Sequence, residues 1–337
     1  MKLKLLAGCT AVFLSMGSMA MAKTTLTVAN WLPPAHPLVA ELIKPMTEKI
    51  AEATKGEVTA TILPAPLGPP PAHFDFAVNG VADITFGVQG YNPGRFKTTS
   101  LVELPFSGDT AEATSVAYWR TFKAMLEEAG EYKDVKVLAV FTHGPGEIFI
   151  KEGDPAAPEL LEGTKMRVGG GIIHEIASKL GAVPVEGPSP KTYELLSQGV
   201  ADGIFFPPES VNFFKLIPLL KEGVMVPGGL YNTSFFIVMN KAKWDSLSAE
   251  DQAAIDSVTG EALARMAGKM WDTADAKGLA AMEGKVNIST ATEAQMAAWR
   301  ERLAPVVDAQ LAKVAETGVD AAAAYEMFKA EVAAESK

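Results

Sequence analysis

Short β-rich runs alternate with helical stretches from Thr24 to Met239, and a helical, alanine-rich tail follows. A chain patterned this way buries its strands between helices, so we expect an α/β protein with mostly parallel sheets. Thr24–Ala29 reads as the opening strand and runs into a proline-punctuated loop over 30–37. Leu38, Leu42, Ile43, Met46 and Ile50 fall at helical spacing, which predicts a helix over 38–54. Further strands are expected at 57–63, 82–88, 135–142, 148–150, 164–168, 183–185, 203–206 and 234–239. Helices are expected at 74–79, at 111–129, from the glycine turn 169–171 to Leu180, and at 191–198. The tail from Ser248 to Phe328 reads as helix, broken near Gly284 to Ser289. At roughly 150 residues per domain, 337 residues suggest two units. Neither a repeat nor a long linker separates them, so chain crossovers should pack one against the other.

Residues 1–22 stand apart from this pattern. Lys2 and Lys4 precede an apolar run, and Ala20-Met21-Ala22 places small residues before Lys23, as a cleavable secretory signal requires. The run is shorter than the roughly 20 residues of a bilayer span, and no later stretch reaches that length, so direct membrane insertion is not expected. Leu6-Ala7-Gly8-Cys9 spells a lipoprotein ending, but lipidation at Cys9 would leave an apolar core below the required 7 to 15 residues or so. The reading is an exported, soluble protein, periplasmic where the cell has two membranes. Without Lys2 and Lys4 the 30 basic residues fall to 28 against 40 acidic ones, and no cysteine remains. That balance argues against nucleic-acid partners, and a hydrophobic content of 48% excludes disorder as the main state. The mature chain must be held by its core alone, and it is long enough to bury one.

Catalytic patterns are weak. His36, His73, His143 and His174 are scattered without metal-ligand spacing, and no nucleophile elbow or catalytic cysteine exists in the mature chain. Gly169-Gly170-Gly171 follows a strand and opens a helix, yet lacks the spacing of a nucleotide loop. It reads more simply as a helix N-terminus whose free N–H groups could receive an anion. No cofactor is called for.

The central blocks change the picture. Leu161-Glu162-Gly163-Thr164-Lys165-Met166-Arg167-Val168, then Leu180-Gly181-Ala182-Val183-Pro184-Val185, Leu196-Ser197-Gln198-Gly199-Val200-Ala201-Asp202-Gly203 and Val238-Met239-Asn240-Lys241-Ala242-Lys243-Trp244 follow in order. Together with His36-Pro37 and Gly80-Val81-Ala82-Asp83, they resemble the substrate-binding proteins of tripartite ATP-independent periplasmic (TRAP) transporters, DctP type, across essentially the mature chain. The resemblance implies a two-lobed periplasmic binding protein fold with hinge strands and a long helix spanning both lobes. A ligand would sit between the lobes, and the loaded protein would be presented to TRAP membrane subunits. The spanning helix would lie within Ser248 to Gly278, and the crossovers near Phe141 to Gly144 and Tyr231 to Phe235. One lobe would take 23–143 with 232–272, the other 144–231 with 273–337.

Arg167 matches the arginine with which this family commonly clamps a ligand carboxylate, and a guanidinium at a strand end offers paired N–H donors for that task. The structural alternative is an ion pair with Glu162 or Glu186. Two departures bear on the ligand. Phe206 stands where members binding C4-dicarboxylates or sialic acid carry asparagine, and Gly146 stands near a second arginine of many members. Both changes remove polar grip, so a small monocarboxylate with an apolar or aromatic body is expected, with Phe206 stacking on it or filling the core. Trp31, His36, Phe86, Gln89, Tyr91, His143, Gly169, Tyr231, Asn232 and Phe235 join the candidate site, because α/β ligands bind outside the carboxyl ends of strands. Asp83 and Asp202 precede turns and could cap neighbouring elements. Two other readings stand beside this one. An exported enzyme acting on a carboxylate would use His143 as its acid or base, and a sensor or scaffold would bind protein through its acidic face.

Overall fold

The computed structural model describes residues 23–155 and 161–337; the signal-peptide reading of 1–22, with Cys9, lies outside the described residues. Among the described residues eleven strands form two sheets. The first holds β1 (Thr24–Val28), β2 (Val58–Ile62), β3 (Ile84–Val88), β4 (Val135–Thr142) and β10 (Ser234–Asn240), in the order β2-β1-β3-β10-β4. The second holds β5 (Glu147–Ile150), β6 (Lys165–Val168), β7 (Val183–Glu186), β8 (Gly203–Phe206), β9 (Glu222–Met225) and β11 (Asn287–Thr290), in the order β11-β9-β5-β8-β6-β7.

The sheets are mixed rather than mostly parallel, and the antiparallel pairings belong to the two strands beside the paired crossovers. The chain crosses between sheets after β4 and again before β10. The strand that arrives each time runs against its neighbours: β5 is antiparallel to β8 and β9, and β10 to β3 and β4. All other pairings are parallel. The two crossovers lie side by side, with Gly146 N–H donating to the Tyr231 carbonyl at 2.8 Å and His143 N–H to that of Thr233 at 3.1 Å. A Cβ on Gly146 would come within 2.1 Å of the Tyr231 ring, so only glycine lets these segments approach so closely. β9 and β11 lie in segments with no strand expectation. β11 is an edge strand with a single apolar residue, Ile288, and β9 carries Gly223, over which the Phe149 ring packs.

The aspartates and asparagine of the sequence blocks tie elements together. Asp83 accepts from the backbone N–H and hydroxyl of Thr27 at 2.7 and 2.8 Å, joining β3 to β1. Asn240 caps the Lys241–Asp245 helix through Lys243 N–H at 2.8 Å. Asp202 accepts from Lys165 N–H at 3.4 Å.

The helix expected to span both lobes is divided. Ala249–Val258 ends at Thr259, Gly260 takes φ 64°, and a second helix, Glu261–Met282, does the spanning. At one end this helix packs on Ala111–Thr121 and on β4; further along it packs on Pro208–Phe213, beside the second sheet. Gly268 and Gly278 allow those contacts, facing Glu112 and the Pro208 carbonyl. The last helix, Ala321–Glu335, was expected with the second lobe but packs on Ala111–Thr121. Arg120 and Arg265 fasten it there, Arg120 to Glu331 at 2.7 Å and Arg265 to Glu335 at 2.7 Å. Among the described residues no helix is long and apolar enough to cross a membrane.

Candidate functional site

The ends of β1, β3, β4, β6 and β8 open toward one another across the crossovers and enclose about 500 Å³ of atom-free space, part of it continuous with solvent. Nine of the twelve residues expected at the site line it: Trp31, His36, Tyr91, His143, Arg167, Gly169, Phe206, Tyr231 and Phe235. The other three do not. Phe86 is core beneath Trp31 and offers only its carbonyl, which accepts from the indole N–H at 3.0 Å. Gln89 turns away from the cleft and donates to the hydroxyls of Tyr118, at 2.9 Å, and Tyr132. Asn232 is buried between the crossovers, its amide without a hydrogen-bond partner among the described residues.

Arg167 is 2% exposed. Its Nε and Nη2 both donate to the Gly187 carbonyl, at 3.0 and 2.6 Å, which fixes one edge of the guanidinium and leaves the Nη1–Nη2 edge for another acceptor. Its carbon lies 4.3 Å from the centre of the Phe206 ring, a cation–π contact that desolvation strengthens. The acidic residues considered as partners are engaged elsewhere: Glu186 with His174 at 2.7 Å and Glu162 with Arg302 at 3.8 Å. Among the described residues Arg167 makes no ion pair with a carboxylate. Burial lowers its pKa, while the phenols of Tyr91 and Tyr231 favour the charge. A buried cation balanced only by a carbonyl, a ring and phenols is set up to receive an anion.

The remaining wall is aromatic. Phe235 stacks on Phe141 with centres 5.2 Å apart and lies 5.8 Å from Trp271. Phe206 stacks on Phe214 at 6.0 Å, and Phe214 lies 5.9 Å from His36. Trp271, Phe214, Leu32, Val88, Ser189, Ser210 and Thr233 also line the space and were missed. Trp271 sits in the middle of the spanning helix, so the expectation of a helix crossing both lobes could have nominated it.

Both cleft histidines are kept neutral by burial: His36 falls to about 3 and His143 to about 4, the latter with its Nδ1 against the Gly144 carbonyl. Burial pushes Glu209, behind His36, up to about 7 against the pull of the Ser210 hydroxyl. Contacts bridge the cleft: Ser189 N–H donates to the Tyr91 hydroxyl at 2.9 Å, and His36 Nε2 lies 3.7 Å from Glu209 Oε1. Among the described residues no group of three or more metal-ligating side chains could hold an ion.

Comparison with known proteins agrees with this geometry. The family profile described as "Bacterial extracellular solute-binding protein, family 7" (DctP) matches residues 28–314. A Comamonas testosteroni protein named "Outer membrane transporter protein TsaT" is 30% identical over 313 residues, 92% of either chain. A TRAP periplasmic solute-binding protein from Bordetella bronchiseptica, solved with (R)- and (S)-mandelate, superposes with TM-score 0.89 at 40% identity, covering 92% of this chain and 98% of the other. A marine-metagenome TRAP solute-binding protein described as specific for aromatic acids, solved with 3-hydroxybenzoate, gives TM-score 0.88 at 35% identity over 94% of this chain and 100% of that one.

Proposed function

The chain belongs to the DctP family of bacterial extracellular solute-binding proteins, and we propose that its cleft captures a small aromatic monocarboxylate for delivery to the membrane subunits of a TRAP transporter. One observation carries the reading: Arg167 is buried, stacked on Phe206 and without a carboxylate partner among the described residues. The carboxylate bonds the free guanidinium edge, and the ring lies among Phe206, Trp31, Tyr231 and Phe235. The ligands of the Bordetella and marine relatives, mandelate and 3-hydroxybenzoate, are of this kind.

The reading places the mature protein in the periplasm, after removal of residues 1–22. It divides the chain into a lobe of 23–143 with 232–272 and a second of 144–231 with the segment from 273. Helix Ala321–Glu335, which packs on Ala111–Thr121, is reassigned to the first. It gives the cleft no reaction to perform; His143 is a wall of the site, not an acid or base.

A thermal-shift screen of benzoate, phenylacetate, succinate and pyruvate tests it. Aromatic monocarboxylates should stabilise the mature chain by about 2.7 kcal/mol at a hundredfold excess over Kd. If no carboxylate raises the melting temperature, or only succinate does, the reading is wrong.

A further inference from the structure

The sequence marks Gly169-Gly170-Gly171 as a helix start whose free N–H groups could receive an anion. The structure puts one there, and it belongs to the chain itself. Glu103, between β3 and β4 of the first sheet, is buried, and its carboxylate reaches the start of the helix Ile172–Lys179, which follows β6 of the second. The Ile172 N–H donates to it, and Oε2 lies 3.2 Å from where a Cβ on Gly171 would stand. Ile172 is the first residue of that helix, so this N–H has no partner within the helix. The other oxygen is held from its own side: Oε1 accepts from the Ser234 N–H at 2.9 Å and from the Ser234 hydroxyl at 2.6 Å. Ser234 opens β10 directly after the second crossover. One carboxylate therefore binds the first sheet through Oε1 and faces the second side of the cleft with Oε2.

The contact adjoins the ligand space at both ends. Arg167 and Gly169, on the way into the turn, line that space, and so do Tyr231, Thr233 and Phe235 around Ser234. The turn also meets Gly90, at the end of β3, whose carbonyl oxygen is 2.8 Å from where a Cβ on Gly170 would stand. Arg167 is 2% exposed, so an acid reaches it only when the two sides part. Parting leaves Oε1 on Ser234, which shares the first sheet with Glu103, and carries the Ile172 N–H away from Oε2. A carboxylate at a helix N-terminus makes a stronger bond than a neutral acceptor does, so this one bond favours the closed arrangement.

We propose that Glu103 is a positioning residue that latches the glycine turn of the second side to the crossover, and so sets how long a captured acid stays. The inference rests on the carboxylate reading of Arg167. Stopped-flow fluorescence follows the binding of benzoate and phenylacetate to the mature chain, with Trp31 and Trp271 in the cleft wall as reporters. Burial raises Glu103 from 4.5 to about 7 against the pull of its donors, so at pH 8 it is measured as a carboxylate. Glu103→Gln keeps an oxygen for Ser234 and turns an NH2 group toward the Ile172 N–H. Ile172→Pro deletes that N–H at the first helical position, where proline is tolerated. Each should speed dissociation about tenfold or more and leave association within about threefold. The double variant should dissociate within about threefold of the faster single one, because both changes remove the same bond. Dissociation unchanged within about threefold in both single variants overturns the latch, and so does a double variant whose effects multiply. Association slowed as much as dissociation is sped would assign Glu103 to the scaffold and overturn it too. In each of these cases the wild type still binds, and the carboxylate reading survives alone. If neither acid binds the wild type, that reading fails and the latch with it.

Discussion

The guanidinium carbon of Arg167 lies 4.3 Å from the centre of the Phe206 ring, and the two side chains define opposite demands on a ligand. On the proposed reading the arginine receives a carboxylate, and the ring excludes a second charge beside it. In the sequence the two positions stand out for different reasons, Arg167 as a match to its family and Phe206 as a departure from it. The fold makes them a single surface, because β6 and β8 are parallel neighbours in the second sheet.

Replacing Arg167 separates its binding role from a structural one. A buried charge without an anionic partner is a burden on the empty protein, and an apolar residue of similar size in its place is often neutral or stabilising. Arg167→Met should therefore melt at or above the wild-type temperature without ligand. Its affinity for an aromatic acid should drop by roughly 10- to 150-fold, the equivalent of about 1.5–3 kcal/mol for charge-assisted hydrogen bonds. A lower melting temperature with affinity changed less than about threefold, under ~0.7 kcal/mol, would assign the arginine to the scaffold.

Closure across the cleft can be tested at one atom. The Tyr91 hydroxyl accepts from Ser189 N–H at 2.9 Å, linking the segment after β3 to the segment after β7. Tyr91→Phe keeps the ring and deletes the acceptor. Because the bond joins the two sides only when they are together, its loss should weaken ligand binding about 2- to 10-fold, consistent with about 0.5–1.5 kcal/mol. Urea unfolding of the empty protein should change by less than about 0.5 kcal/mol. An equal effect on unfolding and binding would mean that the contact belongs to the resting fold.

Stability should respond to pH through two groups acting in opposite directions. Burial raises Glu209 from 4.5 to about 7 in the folded chain, so below pH 4.5 it is protonated folded or unfolded and contributes no difference. As pH rises from 4.5 toward 7, the unfolded chain releases this proton first, and stability is lost until the folded group also ionises. His36, lowered from 6.5 to about 3, does the reverse: its contribution is complete above 6.5 and declines as pH falls toward 3. Glu209→Gln should leave stability at pH 4 unchanged and raise it above pH 7 by on the order of 1–3 kcal/mol, read from urea midpoints across the range. A variant whose advantage is flat with pH would show that Glu209 does not carry a proton in the folded chain.

The architecture was legible because period and punctuation report local structure: strands β1, β3, β4 and β10 fall where the runs and turns place them, while both crossovers fall where the family resemblance implies. What the sequence hid depended on partners far along the chain. β11 has one apolar residue and becomes a strand only because β9 offers an edge to pair with. Gln89 follows a strand in the manner of a ligand contact, yet the hydroxyls of Tyr118 and Tyr132 draw it inward. Trp271 carries no mark in the sequence beyond its place in a helical run, and it reaches the ligand space because its helix passes beneath both lobes. Gly260 looked like an ordinary residue within a long helix, but its positive φ divides that helix in two.

The spanning helix supplies a last test, one in which packing and intrinsic helix preference oppose each other. In an exposed helix interior Gly→Ala stabilises by about 1 kcal/mol. Gly278 lies inside Glu261–Met282, where a Cβ would stand 2.3 Å from the Pro208 carbonyl oxygen and 2.4 Å from its carbon. Those atoms are backbone and cannot rotate aside, so the spanning helix and the Pro208–Phe213 helix would have to separate. That movement would also pull on Asp275, whose carboxylate accepts from Glu209 N–H at 2.8 Å in the same contact. Gly278→Ala should therefore destabilise the chain by roughly 1–3 kcal/mol despite the propensity gain, as overpacking does elsewhere. Ligand affinity should fall as well, since Phe206 and Ser210 flank this helix start and line the cleft. A net gain near the propensity value in urea unfolding would show that the two helices do not approach as closely as the structure places them.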